Sequence, residues 1–174
     1  MKKQLLLIDG YNVIGNWPEL NQLKLADRLA DARDRLIDII AEYKKYRDLD
    51  MQIIFDAMYV PGLSKKDNKH NLDIIWTNKD ETADSYIEAY ARQKQSRFVQ
   101  VVVVTSDQAE QWTVFSAGAL RISARELLRD VKRSKQEIKH QVHNYTHQSR
   151  VRITPWSQDQ LLELEHLRDN LSDK

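Results

Sequence analysis

Three short apolar runs in this chain end at an aspartate: LLLI runs into Asp9, QIIF into Asp56 and VVVVTS into Asp107. If those runs are strands of one parallel sheet, their carboxyl ends share the edge where open α/β sheets bind ligands, and the three carboxylates converge there. A fourth, Asp84, falls in the first turn of a helix expected over ETADSYIEAY, with Glu81 three residues earlier. Helix N-termini in βαβ units point at the same edge. Taken singly, each aspartate reads as a helix cap, a turn residue or a solvated strand end. Their recurrence at three strand ends is what points to a shared acidic site. Carboxylates crowded together repel one another and raise their own pKa values unless a cation sits among them. Hard oxygen donors select Mg²⁺ or Mn²⁺, with waters and substrate phosphates completing the shell, so the chemistry such a site suits is hydrolysis of a phosphodiester. That chemistry needs no side-chain nucleophile, and the chain has no cysteine to supply one.

The elements that must carry these residues follow from periodicity. Strands are expected over QLLLI (4–8), MQIIF (51–55), FVQVVVV (98–104) and ALRI (119–122), with LDIIW (72–76) a short strand or turn. The unbroken β-branched run of the third suits a central parallel strand covered on both faces. Apolar positions from Leu25 through Leu29, Ala32, Leu36, Ile40 and Tyr43 recur at three- and four-residue spacing and predict an amphipathic helix over 24–47. Thr82 is placed to cap a helix running to about Gln95, with Ala83, Ile87, Tyr90 and Ala91 facing inward. A further helix is expected over 108–116. Ser123 and Glu126 have the spacing of a capping box opening a helix to about His140. Residues 61–71, PGLSKKDNKHN, read as an exposed loop, 144–156 as irregular, and the stretch after Pro155 as a last short helix. Alternating strands and helices specify an α/β fold with a mainly parallel sheet.

With 174 residues, 41% hydrophobic and 30% charged, the chain suits one compact domain and excludes collagenous, low-complexity and disordered classes. The expected organisation is a domain over 1–150 and a C-terminal extension over 151–174 packed on it. No apolar run approaches the roughly 20 residues of a spanning helix, and MKKQLLLIDG lacks the apolar core of a signal peptide. No membrane partner and a cytoplasmic location are therefore expected, and no organic cofactor motif stands out. The formal net charge of +1 conceals an asymmetry: residues 121–152 hold nine Lys/Arg against three Asp/Glu, while 153–174 hold two against five. A basic segment of this density, interleaved with Tyr145 and Trp156, suits contact with RNA phosphates and unpaired bases. Arg129, Lys132, Arg133, Lys135 and Lys139 are its candidate RNA-binding residues, joined by Lys65, Lys66 and Lys69 in the loop after the Asp56 strand. His140, His143 and His147 have no cysteine or clear carboxylate partner and are not read as a zinc site.

The segments LLLIDGYNVIGNWPEL, ARDRLIDII, IIFDA, ETADSYIE and VVVVTSDQAEQWTVFSAGALRISARELL together resemble the YacP-like NYN-domain proteins, a branch of the PIN-like nucleases. The resemblance spans roughly residues 4–131, with DGYN, FDA, ETAD and TSD in family order. It implies a PIN-like three-layer sandwich, with helices on both faces of the sheet. It also implies a cytosolic endoribonuclease dependent on Mg²⁺ or Mn²⁺, in a family of ribosome-associated enzymes that cut messenger RNA, so the expected partners are mRNA and the ribosome. The carried-over catalytic positions are Asp9, Asn12, Asp56, Glu81, Asp84 and Asp107, with Asp9, Asp84 and Asp107 as the metal ligands and Asn12 positioning a water or phosphate oxygen. The rival reading is a non-catalytic RNA- or ribosome-binding module that keeps the fold. An inert site would be expected to shed its repulsive carboxylates, which favours the enzyme. A receiver domain would need a lysine where ALRIS offers arginine, and a haloacid-dehalogenase phosphatase an aspartate where Tyr11 stands.

Overall fold

The computed structural model describes residues 2–47, 49–57, 66–69, 71–107 and 118–151. Six strands form one sheet: β1 (Lys3–Asp9), β2 (Asp50–Phe55), β3 (Lys66–Lys69), β4 (Leu72–Trp76), β5 (Val99–Val104) and β6 (Leu120–Ile122). Their order across the sheet is β3-β4-β2-β1-β5-β6. Five are parallel, and β3 pairs antiparallel to β4 at the edge. With Ile8 opposite Val104 and Asp9 opposite Ile54, the carboxyl ends of the three inner strands stand level. The helices are α1 (Gly10–Asn16), α2 (Pro18–Leu25), α3 (Leu29–Lys44), α4 (Ala83–Lys94) and α5 (Ala124–Val151).

The two faces of β1 show why both sides must be covered. Leu6 and Ile8 enter one core with Val13, Ile14, Trp17, Leu20, Leu36 and Ile40 of α1, α2 and α3, and with Leu127 of α5. Leu5 and Leu7 enter a second core with Ala83, Ile87 and Ala91 of α4. The period-2 alternation of a strand thus divides one apolar run between two helical layers, which gives the expected α/β sandwich. Removing one buried branched side chain, as in Leu36→Ala, costs about 2–5 kcal/mol through lost transfer and the cavity left.

Some boundaries differ from expectation. The helix predicted over 24–47 is two helices: α2 closes at Leu25, Asp27 adopts the left-handed conformation (φ 59), and α3 starts at Leu29. The Arg28 N–H bonds back to the Leu23 carbonyl (2.9 Å), so the turn satisfies the carbonyls that an ending helix exposes. Leu25, read as the first inward residue, is 79% exposed. The expected loop contains β3, which brings Lys66 opposite Ile75 and Lys69 opposite Leu72; Asn71 turns the chain at φ 62, a conformation asparagine tolerates. LDIIW is a full parallel strand. The helix opened by Ser123 and Glu126 runs to Val151, past the expected end at His140, so residues 144–151 are helical rather than irregular. No glycine or proline interrupts it before Pro155. Its capping box is reciprocal: Glu126 N–H donates to Ser123 Oγ (3.2 Å), and Ser123 N–H donates to Glu126 Oε2 (2.6 Å). The Ser123 hydroxyl also donates to Glu126 Oε2 (2.7 Å), and the two bonds that carboxylate accepts from Ser123 hold it below its ordinary pKa.

The chain forms two compact units, Met1–Ser134 and Lys135–Lys174. The described part of the second is helical, to Val151. Beyond Val151, the expected extension lies outside the described residues, as do Lys65 and the helix expected over 108–116. No helix among the described residues is long and apolar enough to cross a membrane.

Candidate functional site

The site begins where β1 stops. Asp9 is the last residue of β1 and the N-cap of α1, and the Asn12 N–H donates to its Oδ1 (3.1 Å). A carboxylate is a favoured cap because it accepts one of the amide protons that the first helical turn leaves unpaired. Here the cap is buried, with Asp9 only 6% exposed. Removal from water penalises the charged form and pushes its pKa up from 3.8 to about 6, and the nearby carboxylates of Asp84 and Asp107 push in the same direction. The backbone N–H groups of Asn12 and Tyr11 pull it back without cancelling the rise. Asp9 is therefore a group whose charge is costly in the protein alone, as expected at a functional edge.

Gly10 is needed directly after it. Any Cβ at Gly10 would overlap the ring of Phe55, the last residue of β2, so only glycine lets α1 start against that strand. Asn12 then braces the edge. Its Oδ1 accepts from the Ser106 N–H (2.8 Å) and from Asn16 Nδ2 (3.3 Å). Ser106 Oγ accepts in turn from the Ala124 N–H (3.1 Å), and Trp17 Nε1 donates to the Ala124 carbonyl (2.7 Å). The end of β1, the turn after β5 and the start of α5 are thereby tied into one network. Because the Asn12 oxygen is engaged in this scaffold, any contact it makes to a phosphate falls to its amide nitrogen.

Asp107 follows a turn built on the buried Thr105, whose Oγ1 accepts from the Asp107 N–H (3.1 Å). The Thr105 N–H reaches the Ile122 carbonyl (3.1 Å), and Arg121 Nε donates to the Thr105 carbonyl (3.0 Å). Asp84 stands in the first turn of α4, behind Thr82, which caps that helix by accepting from the Ser85 N–H (3.2 Å). Both carboxylates are exposed. Asp56, half-buried, follows Phe55, where the Thr77 N–H donates to the Phe55 carbonyl (3.0 Å) and Thr77 Oγ1 accepts from the Ala57 N–H (3.1 Å). Glu81 is held by Asn78 Nδ2 (3.3 Å).

Asp84 and Asp107 are thus each close enough to Asp9 to act on its charge, whereas Asp56 and Glu81 are not among the groups that shift it. Their all-oxygen chemistry and the charge repulsion at Asp9 suit a hard divalent cation. Among the described residues, no three His, Asp or Glu side chains come together closely enough to share one. Of the candidate RNA-binding residues, Arg129, Lys132 and Arg133 are exposed on α5 within the first unit, while Leu127 is buried and Leu128 and Val131 pack on the core. Lys135 and Lys139 are exposed in the second unit. Thr77 and Thr105, which set the strand ends in place, carry little signal in the sequence, since a lone Thr is as common in any turn.

The family model for the YacP-like NYN domain matches residues 6–169. The uncharacterized protein YacP of Bacillus subtilis (strain 168) is 46% identical over 142 residues, covering 82% of this chain and 83% of that protein. The crystal structure of Rae1 (YacP) from Bacillus subtilis superposes with a TM-score of 0.72 at 41% identity, covering 97% of both chains. Its W164L mutant gives 0.73 over 84% of this chain and 85% of the other. The chain belongs to the YacP-like NYN domain family, with a nuclease-like α/β fold and an RNA-related function.

Proposed function

We propose that the protein is a metal-dependent endoribonuclease that hydrolyses RNA phosphodiester bonds, acting in the cytoplasm on mRNA at the ribosome. The observation that carries this reading is the buried Asp9, held as a helix cap at a strand end with its pKa raised to about 6 by burial and by Asp84 and Asp107. Asp9 caps its helix, but its ionisation costs the folded protein stability, the pattern of a group kept for function.

Asp9, Asp84 and Asp107 are the residues that would hold Mg²⁺ or Mn²⁺, since Asp84 and Asp107 are the carboxylates whose charge acts on Asp9. The bound ion would supply charge neutralisation at the phosphate and a more acidic attacking water. Asp9 contributes a fixed, ionised oxygen once a cation offsets its unfavourable environment, and its cap bond to Asn12 keeps that oxygen in place. Asn12 and Ser106 keep the two strand ends at constant separation. Asp56 and Glu81 flank the site as positioning groups. Arg129, Lys132, Arg133, Lys135 and Lys139, with Lys65, Lys66 and Lys69, supply the positive surface that draws RNA to an acidic edge that would otherwise repel it.

The test is cleavage of free RNA and of mRNA on translating ribosomes by purified protein with Mg²⁺ or Mn²⁺, beside Asp9→Asn. Cleavage lost in EDTA and in the variant is the expected result. Equal cleavage by Asp9→Asn would refute the site assignment. RNA or ribosome binding without turnover under any metal would leave a non-catalytic module.

A further inference from the structure

An edge that gathers carboxylates repels the polyanion it is read to cut, so a cation placed at that same edge has a function that distant lysines cannot supply. Arg33, in the second turn of α3, is such a cation. Its Nη1 donates to the Tyr11 hydroxyl (3.1 Å), and its guanidinium carbon lies 5.5 Å from the centroid of the Trp76 ring. Both partners belong to the carboxyl edge. Tyr11 is the second residue of α1, and its own backbone N–H is one of the two that bond Asp9. Trp76 ends β4 and stacks on Phe55, which ends β2, at 4.8 Å between centroids; Tyr11 meets the same Phe55 edge-on at 5.3 Å.

The arrangement differs from that of the neighbouring arginines on α3 and its approach. Arg28 pairs with Asp31 (2.6 Å) and Arg35 with Glu19 (2.7 Å). Arg33, half-buried, makes no ion pair among the described residues. A partly desolvated cation is ordinarily paired. This one is instead oriented by a hydroxyl and an aromatic face, contacts that fix the plane of the guanidinium and use only one of its five N–H donors. A fixed fork with unused donors matches the two unesterified oxygens of a phosphodiester, which it can hold by paired charge-assisted hydrogen bonds. We propose that Arg33, positioned by Tyr11 and Trp76, forms a phosphate subsite for RNA, gripping a backbone phosphate next to the one cleaved. The assignment rests on the reading of Asp9, Asp84 and Asp107 as an RNA-cleaving centre.

Two measurements separate the subsite from that reading. Binding of a short unstructured RNA oligonucleotide is followed across a salt series in an Asp9→Asn background, and cleavage kinetics are followed with Asp9 intact. Arg33→Gln should raise Kd and KM about tenfold or more, as for a lost hydrogen bond to a charged group, with kcat little changed. The slope of log Kd against log salt should shrink by about 0.7, one single-strand phosphate contact. Tyr11→Phe keeps the ring and the arginine charge but removes the orienting hydroxyl, so it should raise KM severalfold with the slope unchanged. Arg33→Lys should keep the slope and recover only part of the affinity. If Arg33→Gln fails to fold, the Tyr11→Phe and Arg33→Lys results decide. Parental Kd, KM and slope in the variants that fold would overturn the subsite, as would a lowered melting temperature with RNA binding intact. If Asp9→Asn still cleaves, the nuclease reading falls; if it does not and the Arg33 variants behave as the parent, only the subsite falls.

Discussion

Replacing Asp9 by asparagine should stabilise the metal-free protein while abolishing the RNA cleavage proposed for it, and the size of the gain can be worked from the site. The pKa rise from 3.8 to about 6 corresponds to roughly 3 kcal/mol between the two protonation states. Because the folded protein holds this proton more tightly than the unfolded chain does, ionisation works against folding. The cost is absent below about pH 4, where Asp9 is protonated in both states, grows as the pH rises, and is complete above about pH 6. Asparagine carries no charge, ranks with aspartate as an N-cap and keeps an oxygen for the Asn12 N–H, but it loses part of the second backbone contact, worth about 1 kcal/mol. A net gain of about 2 kcal/mol at neutral pH remains, which in a chain of this size raises the melting temperature by about 4–8 °C. Thermal melts of parent and Asp9→Asn in EDTA between pH 4 and 8 measure it. The variant should melt slightly below the parent at pH 4, cross it between about pH 4 and 5 and rise above it as the pH increases, and Mg²⁺ or Mn²⁺ should stabilise the parent more than the variant. A variant that melts below the parent at every pH, or a difference that ignores pH, would refute the account of Asp9 as a destabilising buried charge.

Asp84→Asn and Asp107→Asn should each lower metal-dependent RNA cleavage by about 100-fold or more with the far-UV circular dichroism spectrum unchanged, because both are exposed and carry charge rather than packing. Gly10→Ala should cost about 1–3 kcal/mol in urea unfolding, since its Cβ would displace the Phe55 ring. Reversing Lys132, Arg133 and Lys135 to Glu should weaken association with RNA or ribosomes and flatten the salt dependence, measured by co-sedimentation, with divalent-ion binding unaltered.

The inner strands were the most legible part of the fold because each is a short apolar run that signals burial on both faces, whereas the polar edge strand β3, KDNK, reads as a loop. LLLI, QIIF and VVVV are found within one residue or two of their expected ends, and Asp9 was readable as a strand terminus for that reason. Helix starts were legible only where a side chain marked them, as at Thr82 and Ser123. GYNVIGN has two glycines and β-branched residues, poor intrinsic helix formers, and becomes α1 through burial of Val13 and Ile14 under the Asp9 cap. The junction at Asp27 was hidden because the apolar period carries through it from one helix to the next. The proximity of Asp84 to Asp9 could be anticipated from topology alone, but not the Asn12–Ser106–Ala124 network, whose members are 94 and 18 residues apart along the chain.

That network explains why the first turn after β1 has its particular residues. Asp9 supplies the charge and caps the helix; Gly10 admits Phe55; Tyr11 bonds Asp9 through its backbone and Arg33 through its hydroxyl; and Asn12 bonds Asp9 through its backbone and Ser106 through its side chain. Four consecutive residues thus connect the carboxylate to β2, α3 and the turn before Asp107. The cost of burying Asp9 is therefore borne by a rigid surround that cannot relax by swinging the group into water. A carboxylate on a mobile loop would escape its raised pKa by moving, and would need no cation. One fixed in this way is relieved by a proton at low pH and, on the reading proposed above, by a divalent cation at neutral pH.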